Sequence, residues 1–179
     1  MAEVLLRRTT ASAVLRIYEA FLNSYPTIGD LANADEKKLE TFLSTIGYQK
    51  QRAKILKSIA TFIVREYWGK VPRSTENLLR IPHVGPYIAG AILSFGYDAP
   101  AAIVDSNVER IMKRVFSNHL PNKTSLQVVQ YLADALVPKR GHMIYNLGLL
   151  DLGALVCRYD SPRCQQCPIK TICGKYKKC

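Results

Sequence analysis

Four cysteines crowd the C-terminal end of the chain. Cys157, Cys164, Cys167 and Cys173 stand in CRYDSPRCQQCPIKTIC with spacers of six, two and five residues. Four thiolates in so short a loop can enclose a metal centre. Zinc fits four cysteines chemically, but structural zinc usually takes two C-x-x-C knuckles, and only Cys164 and Cys167 form one. A 4Fe–4S cluster is larger than one ion and accepts looser spacing. Five cysteines, an odd number so clustered, argue against a secreted disulfide framework. Cys179 is left over and reads as a free terminal thiol, not a ligand. A second candidate is the turn in IPHVGPYIAGAI, residues 81–92. Gly85 permits a sharp reversal, and Pro86 suits a first helical position, where its missing N–H has no partner. Unpaired N–H groups at such a helix start suit a phosphate; the same residues also suit a plain helical hairpin in a core. A third candidate is Asp105 in VDSN. It could do chemistry, or Asp105 or Ser106 could simply cap the next helix, Ser106 making a capping box with Glu109.

The elements that must position these groups all read as helices. Glu3 to Thr10 reads as the end of a helix that begins at or before residue 1. Val14, Ile17, Tyr18, Phe21 and Leu22 form one stripe over 11–22, which Tyr25–Pro26 breaks. A short turn over 28–32 follows, then a helix starting near Asp35 and ended by Gly47. The longest helix spans 49–67, with Ile55, Ile59 and Ile63 inward. Ser74 and Thr75 are good N-cap types before a short helix that Pro82 stops. A mostly apolar helix runs from Pro86, where Ala89, Gly90 and Ala91 would let two helices approach closely. Val108, Ile111, Met112, Val115 and Phe116 make the next stripe. Val129, Leu132, Ala133, Leu136 and Val137 make another. Pro138 to His142 reads as a basic loop and Tyr145 to Val156 as a last long helix. Nothing reads as a strand, so the fold class is all-α with short connections.

Composition narrows the partners. The chain has 179 residues, 48% hydrophobic, enough for a real core in one domain or two small ones. It has no apolar run of membrane-spanning length and no secretion-signal layout at MAEVLLRRTT. Lys plus Arg total 25 against 14 acids, a net charge of +11. A chain this basic is a nucleic-acid candidate, although charge alone also fits an anionic membrane.

IPHVGPYIAGAI resembles the helix–hairpin–helix of the endonuclease III superfamily of DNA glycosylases, usually LPGVG, then a polar residue or two and an alanine. VDSN resembles that superfamily's catalytic aspartate loop. The six-two-five cysteine spacing is the one seen in the endonuclease III and adenine-glycosylase families. The resemblance covers essentially residues 2 to 173. It implies a six-helix barrel layer with the hairpin at about 77–95, a smaller helical iron–sulfur cluster layer, and a DNA cleft between them. It divides the chain into a module over 1–102 and a cluster module over 103–179, with the cluster loop at 157–173.

The resemblance also assigns roles. Cys157, Cys164, Cys167 and Cys173 would hold one 4Fe–4S cluster with a structural and DNA-positioning role. Breaking an N-glycosidic bond builds positive charge on the sugar, and Asp105 would be the carboxylate that stabilises it. Bifunctional members carry a lysine two residues after the second hairpin glycine. Here Tyr87 stands there and cannot form an imine, so a monofunctional enzyme is expected. Tyr87 would contact the flipped nucleotide or sugar, or else pack on the hairpin as a core tyrosine. AEVLLRRTT is similar to the corresponding stretch of thymine/guanine mismatch glycosylases and, less closely, of adenine glycosylases. Its Glu3 would act on the departing base, or lie solvated at the chain start.

Tyr48 would wedge the duplex, and Arg7, Arg8 and Thr9 would fill the gap and read the orphan base, unless the arginines are only a solvated face. His83, Val84 and Gly85 would form the DNA-gripping turn, His83 standing where the family usually has a glycine. Asn107 would orient Asp105 or contact the sugar backbone. Lys50, Arg52, Lys113, Arg114, Lys139 and Arg140 are candidate phosphate contacts, as are Arg158, Arg163, Lys170, Lys175, Lys177 and Lys178 around the cysteines. Members normally carry a further N-terminal stretch with a helix that packs on the cluster layer; this chain begins at the helix holding Glu3. No C-terminal domain of the kind with which adenine glycosylases read 8-oxoguanine is expected from this sequence. The expected function is removal of thymine or uracil opposite guanine, with double-stranded DNA holding a mismatched or damaged base as partner. Alternatives are an adenine glycosylase acting opposite 8-oxoguanine or guanine, and a non-catalytic DNA-binding module. The expected protein is monomeric, has no membrane partner, and is cytoplasmic and nucleoid-associated.

Overall fold

The computed structural model describes residues 1–121 and 123–176. All its regular elements are helical, and no strand occurs among the described residues. Among the described residues, no helix is long and apolar enough to cross a membrane. Cys179, Lys177 and Lys178 lie outside the described residues.

The packing divides the chain into two units, Met1–Val84 and Gly85–Cys179. The first holds α1 (Ala2–Leu6), α2 (Ala11–Ser24), α3 (Ile28–Ala32), α4 (Glu36–Phe42), α5 (Gln49–Tyr67) and α6 (Thr75–Leu79). Their starts follow capping chemistry. Thr10, Asp35 and Ser74 each accept a backbone N–H three residues on, and Thr27 with Asp30 completes a capping box. The centre is α5, whose Ala53, Leu56, Ile59, Ala60 and Ile63 are buried. It packs against α1, α3 and α4.

Three boundaries of this unit differ from expectation, α2 by running to Ser24, two residues past Leu22. Helix α1 stops at Leu6, because Arg7 turns extended and Arg8 is left-handed at φ 53°. The helix begun at Asp35 ends at Phe42, and a separate 3₁₀ turn, Ser44–Ile46, leads to Gly47 at φ 73°.

The second unit holds α7 (Pro86–Ala91), α8 (Ser106–Val115), α9 (Leu126–Leu136) and α10 (His142–Asp151). Helices α7 and α10 each run on into a π-helical turn, Ile92–Gly96 and Leu152–Val156. Helix α10 therefore starts three residues before the expected Tyr145. Ala102, Val104, Val108, Met112, Val129 and Ala133 form the core, with Phe116, Leu132 and Leu149 packed on it. Gly90 does let another chain segment come close, but that segment is a loop. A Cβ on Gly90 would stand 2.2 Å from the Ala102 carbonyl oxygen.

Candidate active site and nucleic-acid interface

Asp105 lies between two core residues, Val104 and Val108, so both flanks of its loop are pinned. It is itself the N-cap of α8. One carboxylate oxygen accepts the backbone N–H groups of Asn107 (2.8 Å) and Val108 (2.7 Å); the other accepts Asn107 Nδ2 (3.0 Å). The capping box expected at Ser106 and Glu109 is not formed. Ser106 is already the first helical residue, and Glu109 instead pairs with Lys113 at 2.6 Å. So Asp105 itself, and not Ser106, supplies the cap. The cap fixes the carboxylate, which stays half-buried.

Asn107 orients Asp105, and a further residue orients Asn107. Arg110 donates to Asn107 Oδ1 (2.8 Å), to the Gly153 carbonyl (2.8 Å) and to the Cys157 carbonyl (2.9 Å). Gly153 makes room for this contact, since a Cβ there would stand 2.5 Å from Asn107 Cβ. Neither Arg110 nor Gly153 was expected at the site. The only signal was position: Arg110 lies one helical turn after Asn107, on the same face of α8.

All four cysteines of the cluster loop are half-buried, and they line one cavity of about 80 Å³ together with Arg114, Arg163 and Lys170. Among the described residues, no three His, Cys, Asp or Glu side chains converge as ligands of a single ion do. Arg114, expected to touch phosphate, folds this loop. It donates to the carbonyls of Cys157, Arg158 and Tyr159 and to Cys157 Sγ (3.4 Å).

Within the first unit, Arg7, Arg8 and Tyr48 line a pocket of about 330 Å³ with Gln51 and Arg52. Tyr48 is 54% exposed at the start of α5, and the Arg8 guanidinium lies 5.5 Å from its ring centre. Arg7 donates to the His83 carbonyl (2.8 Å), so it is tied to the hairpin turn. Thr9 is half-buried beside them, and Glu3 is half-buried on α1 but does not line this pocket.

Arg52 corrects the expectation of a phosphate contact. It is 3% exposed and donates to the carbonyls of Val4, Leu5, Arg7, Ile46 and Gly47. Burial, then the neighbouring Arg7 charge, lowers its pKa. Its work is to satisfy the carbonyls that α1 leaves open at its C-terminus. Lys50, Lys139 and Arg140 remain exposed.

The hairpin turn reverses at a different residue from the one expected. Gly85 is extended (φ −100°, ψ −178°) and needs no glycine freedom; His83 takes the left-handed conformation at φ 63°. The exposed His83 thus bears the strain that a glycine would avoid. Val84 is buried, and Tyr87 is half-buried one residue into α7.

Residues 1–136 match the model of the HhH-GPD superfamily base excision DNA repair proteins. The chain belongs to this superfamily. It is 34% identical to a thymine/uracil-DNA glycosylase of Methanothermobacter thermautotrophicus, covering 100% of this chain and 81% of that one. It is 37% identical to a thymine-DNA glycosylase of Aeropyrum pernix, covering 98% and 81%. Among solved structures, a thermostable thymine-DNA glycosylase superposes with a TM-score of 0.90 at 34% identity, over 99% of this chain and 82% of that one. Endonuclease III in a non-covalent DNA complex superposes at 0.82 with 27% identity, over 99% and 82%. The chain therefore has the helix–hairpin–helix glycosylase fold expected from its sequence.

Proposed function

We propose that this glycosylase removes thymine or uracil mispaired with guanine and leaves an abasic site. The observation that carries this is the Asp105 carboxylate, held by two backbone N–H groups and Asn107 at the start of α8. As the C1′–N bond breaks, positive charge develops on the sugar, and a fixed carboxylate beside it stabilises that state without reorganising. A water then supplies the oxygen that C1′ gains, and the departing base keeps the bonding electrons and takes a proton. Glu3 is our candidate for assisting that base. Tyr87 stands where an imine-forming lysine would be needed, so the backbone is left uncut.

Base choice follows the named activities of the two relatives above, each matched over about four-fifths of its length. An adenine DNA glycosylase of Buchnera aphidicola is also similar, at 29% identity, but this chain covers only 50% of it. The DNA partner would be a duplex with a mismatched or damaged base, gripped at His83, Val84 and Gly85. Tyr48 would enter the stack while Arg7, Arg8 and Thr9 face the orphan base. We place the protein inside the cell, on the nucleoid, acting as a monomer. The functional division we propose is a hairpin module over 1–102 and a cluster module over 103–179.

The cysteine cavity fits one 4Fe–4S cluster. Four thiols line it, and Arg114, Arg163 and Lys170 would offset the charge of four thiolates. Bound there, the group would brace the loop; base excision needs no electron from it. Protein as purified should be brown and carry iron and acid-labile sulfide, with Cys167→Ser losing both. A colourless protein with one zinc per chain would overturn the assignment.

The function is tested by single-turnover excision on duplexes carrying T/G, U/G, A/8-oxoguanine and A/T pairs, with and without alkali. Strand breaks on T/G or U/G only after alkali are expected. Breaks without alkali would overturn the monofunctional reading. Intact strands on every duplex, with tight binding kept, would favour a DNA-binding module.

A further inference from the structure

We propose that Asn146 is a positioning residue for Asp105, acting through the chain segment that leads into it. This rests on the reading of Asp105 as the carboxylate of excision. Residues 101–104 are non-helical and have no strand beside them, so side chains must satisfy their backbone groups. Asn146, on α10, does so in a bidentate way. Its Oδ1 accepts the Ile103 N–H (3.3 Å), and its Nδ2 donates to the Ala101 carbonyl (2.9 Å). Asp134 Oδ1 takes the Ala102 N–H between them (3.3 Å). Gly90 backs the same segment, against the Ala102 carbonyl.

The amide of Asn146 is itself fixed. Its Nδ2 also donates to Ser94 Oγ (3.0 Å), Ser94 Oγ lies 3.0 Å from His142 Nδ1, and His142 Nε2 lies 3.2 Å from Asp98 Oδ1. Every donor has an acceptor when the imidazole proton sits on Nε2 and the Ser94 hydroxyl points to Nδ1. The order serine, histidine, aspartate is that of a hydrolase triad, but Ser94 is 0% exposed and its oxygen already accepts from Asn146. No substrate reaches it. The network sets an amide orientation instead. An Asn with its oxygen and nitrogen exchanged would put two donors against each other at Ile103 and two acceptors at Ala101. Asn146 and His142 are 1% and 4% exposed, so water cannot repair the mismatch.

The position of Asp105 is thereby held from both sides: by Asn107 and Arg110 after it, and by Asn146 before it. A small misplacement of a reacting group lowers rate far more than it lowers binding.

The test is single-turnover excision by Asn146→Ala on whichever mismatch the wild type cleaves, alongside affinity for the same duplex with a non-hydrolysable 2′-fluoro nucleotide. The rate should fall roughly 10- to 100-fold, with affinity unchanged. Ile63→Ala, a buried core change on α5 in the first unit, serves as the stability control and should keep the rate wherever it is folded. If Asn146→Ala fails to fold, Ser94→Ala carries the test. It leaves the bonds of Asn146 to Ala101 and Ile103 in place and should lower the rate less, while speeding hydrogen exchange of the Ile103 amide. Wild-type rates in these variants, with Asp105→Asn inactive, would overturn the positioning role alone. An active Asp105→Asn would overturn the reading of Asp105, and the Ile103 exchange would then show whether the clamp still exists.

Discussion

The two units hold their candidate functional residues in opposite ways. In the first, Arg8, Tyr48 and His83 all sit at left-handed backbone angles, φ 53°, 51° and 63°. They are exposed, and although Arg52 holds the carbonyls of Arg7 and Gly47 beside them, the contacts at these residues themselves are slight: a guanidinium over a ring, and one bond from Arg7 to a carbonyl. In the second, Asp105 accepts three hydrogen bonds, and its neighbours accept or donate several more. Strain tolerated at exposed positions suits a surface that must adapt to a deformed duplex. Over-determination suits a charge that must meet one atom. The comparison can be broken at either end.

The largest effect should come from Asp105→Asn. Asparagine caps a helix as well as aspartate, so α8 and the fold should survive. Excision should fall on the order of 10³-fold, and binding to the mismatched duplex should persist. Equal losses of binding and rate would mean that the carboxylate holds the structure and not the transition state.

Arg52→Met sharpens the comparison from the first unit. If Arg52 were a phosphate contact, the change would lower the salt dependence of DNA binding and leave stability intact. Its loss would leave buried carbonyls without a donor and should cost at least about 1–3 kcal/mol of stability, read as a lower melting temperature. This residue also marks a limit of reading from sequence. In QKQRAKILK, Arg52 is one cation among four, and only the end of α1 across the unit makes it structural.

Much of the rest was legible for local reasons. The bounds of α3 and α5 fall where apolar period and punctuation put them, and Asp105, Asn107 and the four cysteines stand together in their own segments. Contacts between distant residues were not legible. Ser94 and Asn146 are 52 residues apart, and nothing in either local sequence pairs them. The reversal at His83 was misassigned to Gly85 because glycine is the residue that ordinarily marks a left-handed turn.

Gly153→Ala should act between these extremes. The added methyl would collide with Asn107 Cβ, and a helical position otherwise favours alanine. Excision should drop about tenfold, with little change in DNA affinity, as Asn107 is pushed off Asp105. An unchanged rate would mean that α8 shifts as a body and carries Asp105 with it.

The smallest effect is expected at His83→Gly. Glycine relieves a left-handed angle that costs a bulky residue roughly 1–2 kcal/mol, but it loosens the unfolded chain by about 0.4–1 kcal/mol. The net change in stability should be a gain below about 1.5 kcal/mol, read as a melting-temperature rise of a few degrees. The His83 carbonyl that anchors Arg7 is backbone and survives the change. DNA affinity and excision should therefore stay near wild type if His83 serves only as a turn residue. A clear loss of affinity with stability gained would mean that the imidazole itself meets the duplex, and that its strain is kept for a contact glycine cannot make.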